Sequence, residues 1–236
     1  MAKKIFIHLP KNAGSSIKRF RPIADSIRFI DHKHLLSANY HDRFLAKMRE
    51  IKEARGAGHA RWRDIAEQLT SSHQCFAVAR NPWDRVVSRY CFAKLVIRQP
   101  HTKWTEEYAD TSSLESFLEE RHKWGGQEFL WFRAIKGWFN QLEHVVNNDG
   151  EVACDILRFE NLNVDIKKYF NITQDIKAHN VTNMEGPKKI LRGESYMKEY
   201  TPATIQIVAD WYKNDIDHWG FDFDTGATKN YWNVDR

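Results

Sequence analysis

The stretch KIFIHLPKNAGSSIKRF, Lys4 to Phe20, decides the fold of this chain. Lys4 to Leu9 reads as a buried strand that breaks at Pro10. Lys11 to Gly14 is a loop of mostly small residues, and Ser15 to about Arg21 is a helix stopped by Pro22. Strand, small-residue loop and helix in that order build a phosphate-binding loop, with backbone N–H groups facing the anion. Lys11 comes before Gly14 rather than after it. The nucleotide-hydrolase pattern GxxxxGK[ST] is therefore absent, and Lys11 approaches from the strand side.

Working outward, the pattern alternates between strands and helices. Ser26 to Ile30 is a second strand, followed by Asp31 to Leu36 with His32 and His34. Apolar Phe44, Leu45, Met48 and Ile51, about a turn apart, predict a helix from Asn39 to about Arg55, ended by Gly56 to Gly58. A helix over Ala60 to Leu69 and a strand over Gln74 to Ala79 follow. Asn81 and Pro82 then supply the cap and first turn of a helix running to about Ile97. A polar, aromatic loop covers Arg98 to Asp110. Helices are expected over Ser112 to Lys123 and Gln127 to Val146, with a turn at Asn147 to Gly150. Ala153 to Phe159 is a fourth strand and Val164 to Phe170 a short helix. A last helix spans Thr201 to Trp219, capped by Thr201 with Pro202 at its first position and closed by Gly220. This alternation predicts one α/β domain over residues 1–236, three layers deep, with a P-loop-like central parallel sheet flanked by helices. Residues 94–148 carry no motif and read as a largely helical region for ligand recognition or helical packing. Ligands of such sheets sit at the C-terminal ends of the strands, where the loops after the first and third strands lie.

Composition narrows the partner. Hydrophobic residues are 42% and charged residues 28%, which excludes a disordered chain. A net charge of +5 suits an anionic ligand: an acidic glycan, an anionic cofactor, nucleic acid or a membrane surface. Cys75, Cys91 and Cys154 are odd in number and far apart, so they read as reduced thiols rather than disulfides or a metal motif. No apolar run approaches the length of a membrane span.

Two segments carry the chemistry. In PKNAGSS, Pro10 to Ser16, the small residues admit a phosphate, Lys11 adds a full positive charge and the two hydroxyls add donors. In ARNPWDRVVSRY, Ala79 to Tyr90, Arg80 ends a strand; Asp84 and Ser88 share one helix face, with Ser88 close enough to Arg80 to share a phosphate. Arg85 and Arg89 form a second pair four apart and read as surface or salt-bridge residues. A histidine in IDHKHLL, Ile30 to Leu36, has the pKa range for taking a proton from a hydroxyl.

Together, PKNAGSS and RNPWDRVVS resemble the paired cofactor signatures of sulfotransferases that use 3′-phosphoadenosine-5′-phosphosulfate (PAPS). The likeness is closest to the carbohydrate sulfotransferases of the heparan 2-O or bacterial type, whose loops read PK-x-x-[GS]-[ST]-S and RNP-x-x-R-x-x-S. Pro10, Lys11, Gly14, Ser15, Ser16, Arg80, Asn81, Pro82, Arg85 and Ser88 fill those positions. DILRFENL (Asp155 to Leu162), HNVTN (His179 to Asn183) and the stretch from Tyr196 to Phe223 resemble later segments of the same family. The resemblance implies a 5′-phosphosulfate wrapped by Lys11, Asn12, Ala13, Gly14, Ser15, Ser16 and Ile17. It implies a 3′-phosphate held by Arg80 and Ser88. The basic loop Gly186 to Tyr196 is suited to close over the nucleotide through Arg192. HKH resembles the H-x-H of 2-O-sulfotransferases, which makes His34 the base, His32 a substrate or orienting contact, and Lys11 the cation at the departing phosphate. His59, His101, Glu50, Glu53 and Glu67 are other bases without a motif behind them. The acceptor implied is a hydroxyl-bearing small molecule or glycan. No metal, nucleic acid or membrane partner is expected. Eukaryotic carbohydrate sulfotransferases usually carry an N-terminal anchor, whereas this phosphosulfate loop begins almost at Met1. The expectation is a cytoplasmic enzyme of bacterial or viral kind, or a catalytic fragment.

Two other classes compete. A P-loop nucleotide kinase or NTPase shares the fold but needs Mg²⁺ and a lysine after the second glycine. A nucleic-acid-binding protein is suggested by Arg43, Lys47, Arg49, Lys52, Arg55, Arg61 and Arg63, whose alternative is a solvated face or a glycan patch.

Overall fold

The computed structural model of the protein describes residues 3–30, 32–50, 59–97, 109–131, 133–178 and 196–233. Four strands, β1 (Lys4–Ile7), β2 (Ile27–Phe29), β3 (Cys75–Ala79) and β4 (Asp155–Arg158), form one sheet in the order β2-β1-β3-β4. All three pairings are parallel, with Phe6 opposite Phe29 and Phe76, and Ala79 opposite Arg158. A parallel sheet must be covered on both faces, and side chains along these strands alternate accordingly. Ile5, Ile7, Cys75, Ala77, Ala79 and Ile156 enter one apolar cluster; Phe6, Phe76, Val78 and Leu157 enter the other. The second layer packs α1 (Gly14–Arg19) and α7 (Leu162–Phe170) beneath the sheet. The first is larger and takes α2 (Ala38–Glu50), α4 (Pro82–Ile97), α5 (Leu114–Trp124), α8 (Pro202–Trp211) and α9 (Lys213–Trp219). The expected three-layer α/β arrangement is therefore present.

The strand order places the site. The chain leaves β1 for β2 on one side, then crosses back to β3 on the other. Connections from β1 and β3 thus diverge at their C-terminal ends, opening the crevice where such sheets bind ligands.

Three helical expectations fail, the first two because backbone groups are claimed by tertiary partners. Over residues 60–69, a 3-10 turn at Trp62–Asp64 and the short α3 (Glu67–Thr70) replace the single helix. Ile65 instead bridges Leu36, and the N–H of Ala66 donates to the carbonyl of Leu35 at 2.9 Å. Among the described residues of 127–146 only α6 (Leu142–Val145) is helical. Carbonyls of Ala134, Ile135 and Phe139 are taken by arginines of α4, and Phe129 has φ 66°. The last helix is split into α8 and α9 at Tyr212, whose phenol accepts from Arg89 at 2.8 Å. The Thr201 cap and the left-handed Gly220 stop are as read from the sequence.

No described helix is long and apolar enough to cross a membrane. Cys75, Cys91 and Cys154 are free thiols. Burial pushes the first two up to about 11 and Cys154 well above the usual thiol value, so none is poised as a thiolate nucleophile.

Candidate functional site

The loop after β1 adopts unusual backbone geometry. Lys11 has φ 70° and Ala13 has φ 61°, both left-handed and neither a glycine. Each costs about 1–2 kcal/mol relative to ordinary backbone, so the surrounding structure must impose them. Left-handed residues in a turn aim successive N–H groups to one side, forming an anion-binding concavity. The N–H groups of Ser16 and Ile17 turn back onto the carbonyl of Ala13 at 2.9 and 3.0 Å.

A buried network holds the loop in this shape. Asn12, 1% exposed, turns its side chain into the protein. Its amide donates to the carbonyl of Val78 on β3 at 2.7 Å and to Oε1 of Gln141 at 2.5 Å. Gln141 Oε1 also accepts from the N–H of Arg80 at 3.0 Å, while its amide donates to the carbonyl of Arg80 at 2.8 Å. Asp215 of α9, fully buried, accepts from the N–H groups of Gln141 and Leu142 at 2.8 and 2.9 Å. Burial pushes its carboxyl up to about 6 against the pull of these donors. The Asn12 side chain is thus a brace between the two loops.

Arg80 lies across the switch point. Its Nη1 donates to the carbonyl of Lys11 at 2.6 Å, and Nε and Nη2 grip Asp84 as a fork at 2.8 Å each. The guanidinium rests on Phe159, 4.0 Å from the ring centre. Three of its five N–H donors are committed in these bonds. Ser88 stands one turn beyond Asp84 on α4, half-buried. Asn81 caps α4 as the sequence suggests, accepting from Trp83 and Asp84 at 2.9 and 3.2 Å. Its amide donates to the carbonyls of Asp222 and Thr225, and its N–H to Glu160 at 2.7 Å. Burial pushes Glu160 up to about 7.

Arg85 and Arg89 are not surface residues. They are 2% and 1% exposed and brace the backbone. Arg85 donates to the carbonyls of Pro10 and Phe139 at 3.3 and 3.1 Å. Arg89 donates to Ala134, Ile135 and the Tyr212 phenol, and stacks on Trp138 at 4.0 Å. The helix that follows the second loop thus grips the first loop at Pro10.

Lys11 points at Phe92, with Nζ 4.5 Å from the ring centre. Burial, then the neighbouring Arg80, lowers its ammonium from 10.5 to about 7; Cys91 opposes and Arg89 adds to the fall. An anion beside Lys11 relieves this cost.

Gly14 has a second reason to be glycine. A Cβ there would fall inside the imidazole of His8, which occupies the space between β1 and α1. His8 stacks on Phe6 at 5.5 Å and lies tilted against His59 at 4.1 Å, and its carbonyl accepts from His59 Nδ1 at 2.8 Å. Burial lowers both imidazoles, His8 strongly, so both are neutral at pH 7. His59 thus packs beside the loop through His8.

His32 and His34 are both exposed and stacked, ring centres 5.4 Å apart with planes 15° from parallel. They follow the C-terminal end of β2, the strand beside β1, on the edge where the two loops open. Arg192, His101, Glu53 and most of the Gly186 to Tyr196 loop lie outside the described residues. Among the basic residues of the 43–63 stretch, Arg43 pairs with Glu128, Lys47 with Glu50 and Arg61 with Asp64, which reduces the charge they present.

The sequence reading missed His8, Gln141 and Asp215. Gln141 sat inside an expected helix with no motif around it. Asp215 belongs to a stretch whose resemblance was visible but whose role was not. Scans against protein-family models, curated proteins and solved structures find no match to this chain.

Proposed function

We propose that the protein transfers a sulfuryl group from PAPS to a hydroxyl acceptor, by preference a carbohydrate, in a reducing, cytoplasmic setting. The observation that carries this reading is the bond from Arg80 to the carbonyl of Lys11. It joins, at one switch point, the two segments whose sequences resemble the PAPS signatures. The residues present fit a bisphosphorylated nucleotide. Lys11 supplies a cation whose burial cost an anion repays, left-handed Lys11 and Ala13 shape the loop around it, and Arg80 has two N–H donors outside its bonds to Lys11 and Asp84.

PAPS supplies an activated sulfuryl group. Lys11 and the loop N–H groups balance charge at the departing phosphate, helped by the Ser16 hydroxyl. Arg80 and Ser88 hold the 3′-phosphate, which separates this nucleotide from ATP. His34, exposed at the open edge, takes the acceptor proton while His32 orients its ring. The arrangement resembles phosphoryl transfer, where the protein mainly positions reactants and balances charge. The product nucleotide, 3′-phosphoadenosine-5′-phosphate (PAP), should raise the melting temperature without Mg²⁺, and labelled PAPS should then be screened against hydroxyl acceptors. Stronger stabilisation by ATP with Mg²⁺ would instead favour a kinase or NTPase.

A further inference from the structure

Arg80 is held at its backbone and at three points of its side chain. Gln141 fixes the backbone, accepting from the N–H at 3.0 Å and donating to the carbonyl at 2.8 Å. What is left to order is a long side chain, whose rotamer entropy is among the largest of any residue. The guanidinium carbon lies 4.0 Å from the centre of the Phe159 ring. Nη1 donates to the carbonyl of Lys11 at 2.6 Å. The Nε–Nη2 edge is closed by the two oxygens of Asp84, at 2.8 Å each. A ring contact and one hydrogen bond leave the guanidinium free to pivot about Nη1. A two-point fork does not.

Asp84 can impose this geometry because it is fixed itself. It lies in the first turn of α4, where its N–H donates to the Asn81 side chain at 3.2 Å. Among the described residues, neither of its carboxylate oxygens takes a donor other than Arg80. The pair is not sealed from a ligand, since the Arg80 and Asp84 side chains remain 12% and 22% exposed. Asp84 is also an anion, and by its charge alone it would weaken the hold of Arg80 on a phosphate. Positioning and charge thus act in opposite directions, so one substitution can separate them.

We propose that Asp84 is the positioning residue for Arg80: it fixes the guanidinium so that the remaining N–H donors meet the 3′-phosphate, and so sets the preference for a 3′-phosphorylated nucleotide. The inference rests on the PAPS reading. Titration calorimetry on the full chain tests it, with PAP and with adenosine 5′-phosphate (AMP), which lacks the 3′-phosphate. Asp84→Asn keeps the shape but replaces one acceptor by a donor, so the fork falls to a single bond. The preference for PAP over AMP should drop by about five- to twentyfold, with AMP affinity within about twofold of the wild type. A merely structural defect would weaken both ligands together. On an Arg80→Ala background, Asp84→Asn should change the preference no further, because the group it positions is gone. Asp84→Glu keeps the charge and displaces the carboxylate by one methylene; it should lower the preference too, and it decides should Asp84→Asn lose its cooperative melting transition. A wild type without preference for PAP would overturn the PAPS reading and this inference together. A wild type that prefers PAP, with that preference unchanged or raised in the folded Asp84 variant, or lowered further by Asp84→Asn on the Arg80→Ala background, would overturn the positioning role alone.

Discussion

Replacing Lys11 by methionine should make the ligand-free protein more stable while removing its affinity for a phosphate ligand. The ammonium is lowered from 10.5 to about 7, first by burial and then by Arg80. The fold therefore disfavours the protonated amine. A fall of about 3.5 in pKa corresponds to at most about 5 kcal/mol at 1.36 kcal/mol per unit. Relaxation and water entry reduce such penalties, and loss of the Phe92 contact offsets part of the gain. About 2–3 kcal/mol at pH 7 is the expected net gain. The pH dependence carries the stronger test. The penalty on the wild type is complete below pH about 7 and fades as the pH rises towards 10.5, where the unfolded chain also releases its proton. At pH 9 less than half of it should remain. Methionine is unbranched, one heavy atom shorter, and suffers the same positive φ as lysine, so backbone strain cancels in the comparison. Urea unfolding of both proteins at pH 7 and pH 9, followed by tryptophan fluorescence, measures the difference. A Lys11→Met protein less stable than wild type at pH 7, or a gap that does not shrink by pH 9, would refute the reasoning.

Three further outcomes are expected. Arg80→Ala should weaken PAP binding by about ten- to a hundredfold in titration calorimetry, the scale of a lost charged hydrogen bond; unchanged affinity rules out a 3′-phosphate contact. His34→Ala should lower turnover of labelled PAPS by about a hundred- to ten-thousand-fold while sparing PAP affinity, and wild-type turnover removes His34 as the base. Gly14→Ala forces a methyl group into the His8 ring and should cost about 1–3 kcal/mol, visible as a lower melting temperature; an unshifted melt contradicts the packing described.

Much of the architecture was legible because local patterns were strong. The apolar run at Lys4, the Asn81-Pro82 cap and the Thr201-Pro202 start each encode their element through nearby residues. Helix content over residues 127–146 was illegible for the opposite reason. Its periodicity suited a helix, but Arg85 and Arg89 reach in from α4 and take the carbonyls a helix would use. The same two arginines looked like surface charges because sequence spacing says nothing about what lies opposite a helix face.

The chain's local order alone determined an alternating α/β arrangement, a small-residue loop bearing Lys11 and a capped strand end bearing Arg80. Tertiary structure decided what those residues do. Strand order β2-β1-β3-β4 set the loops side by side, and Gln141 with Asp215, more than a hundred residues from the first loop, locked Asn12 and the Arg80 backbone into one network. Burial also lowered the Lys11 ammonium to about 7. A sequence motif specifies which groups are available; desolvation and hydrogen-bond partners, which depend on every element packed around them, set their charge and direction.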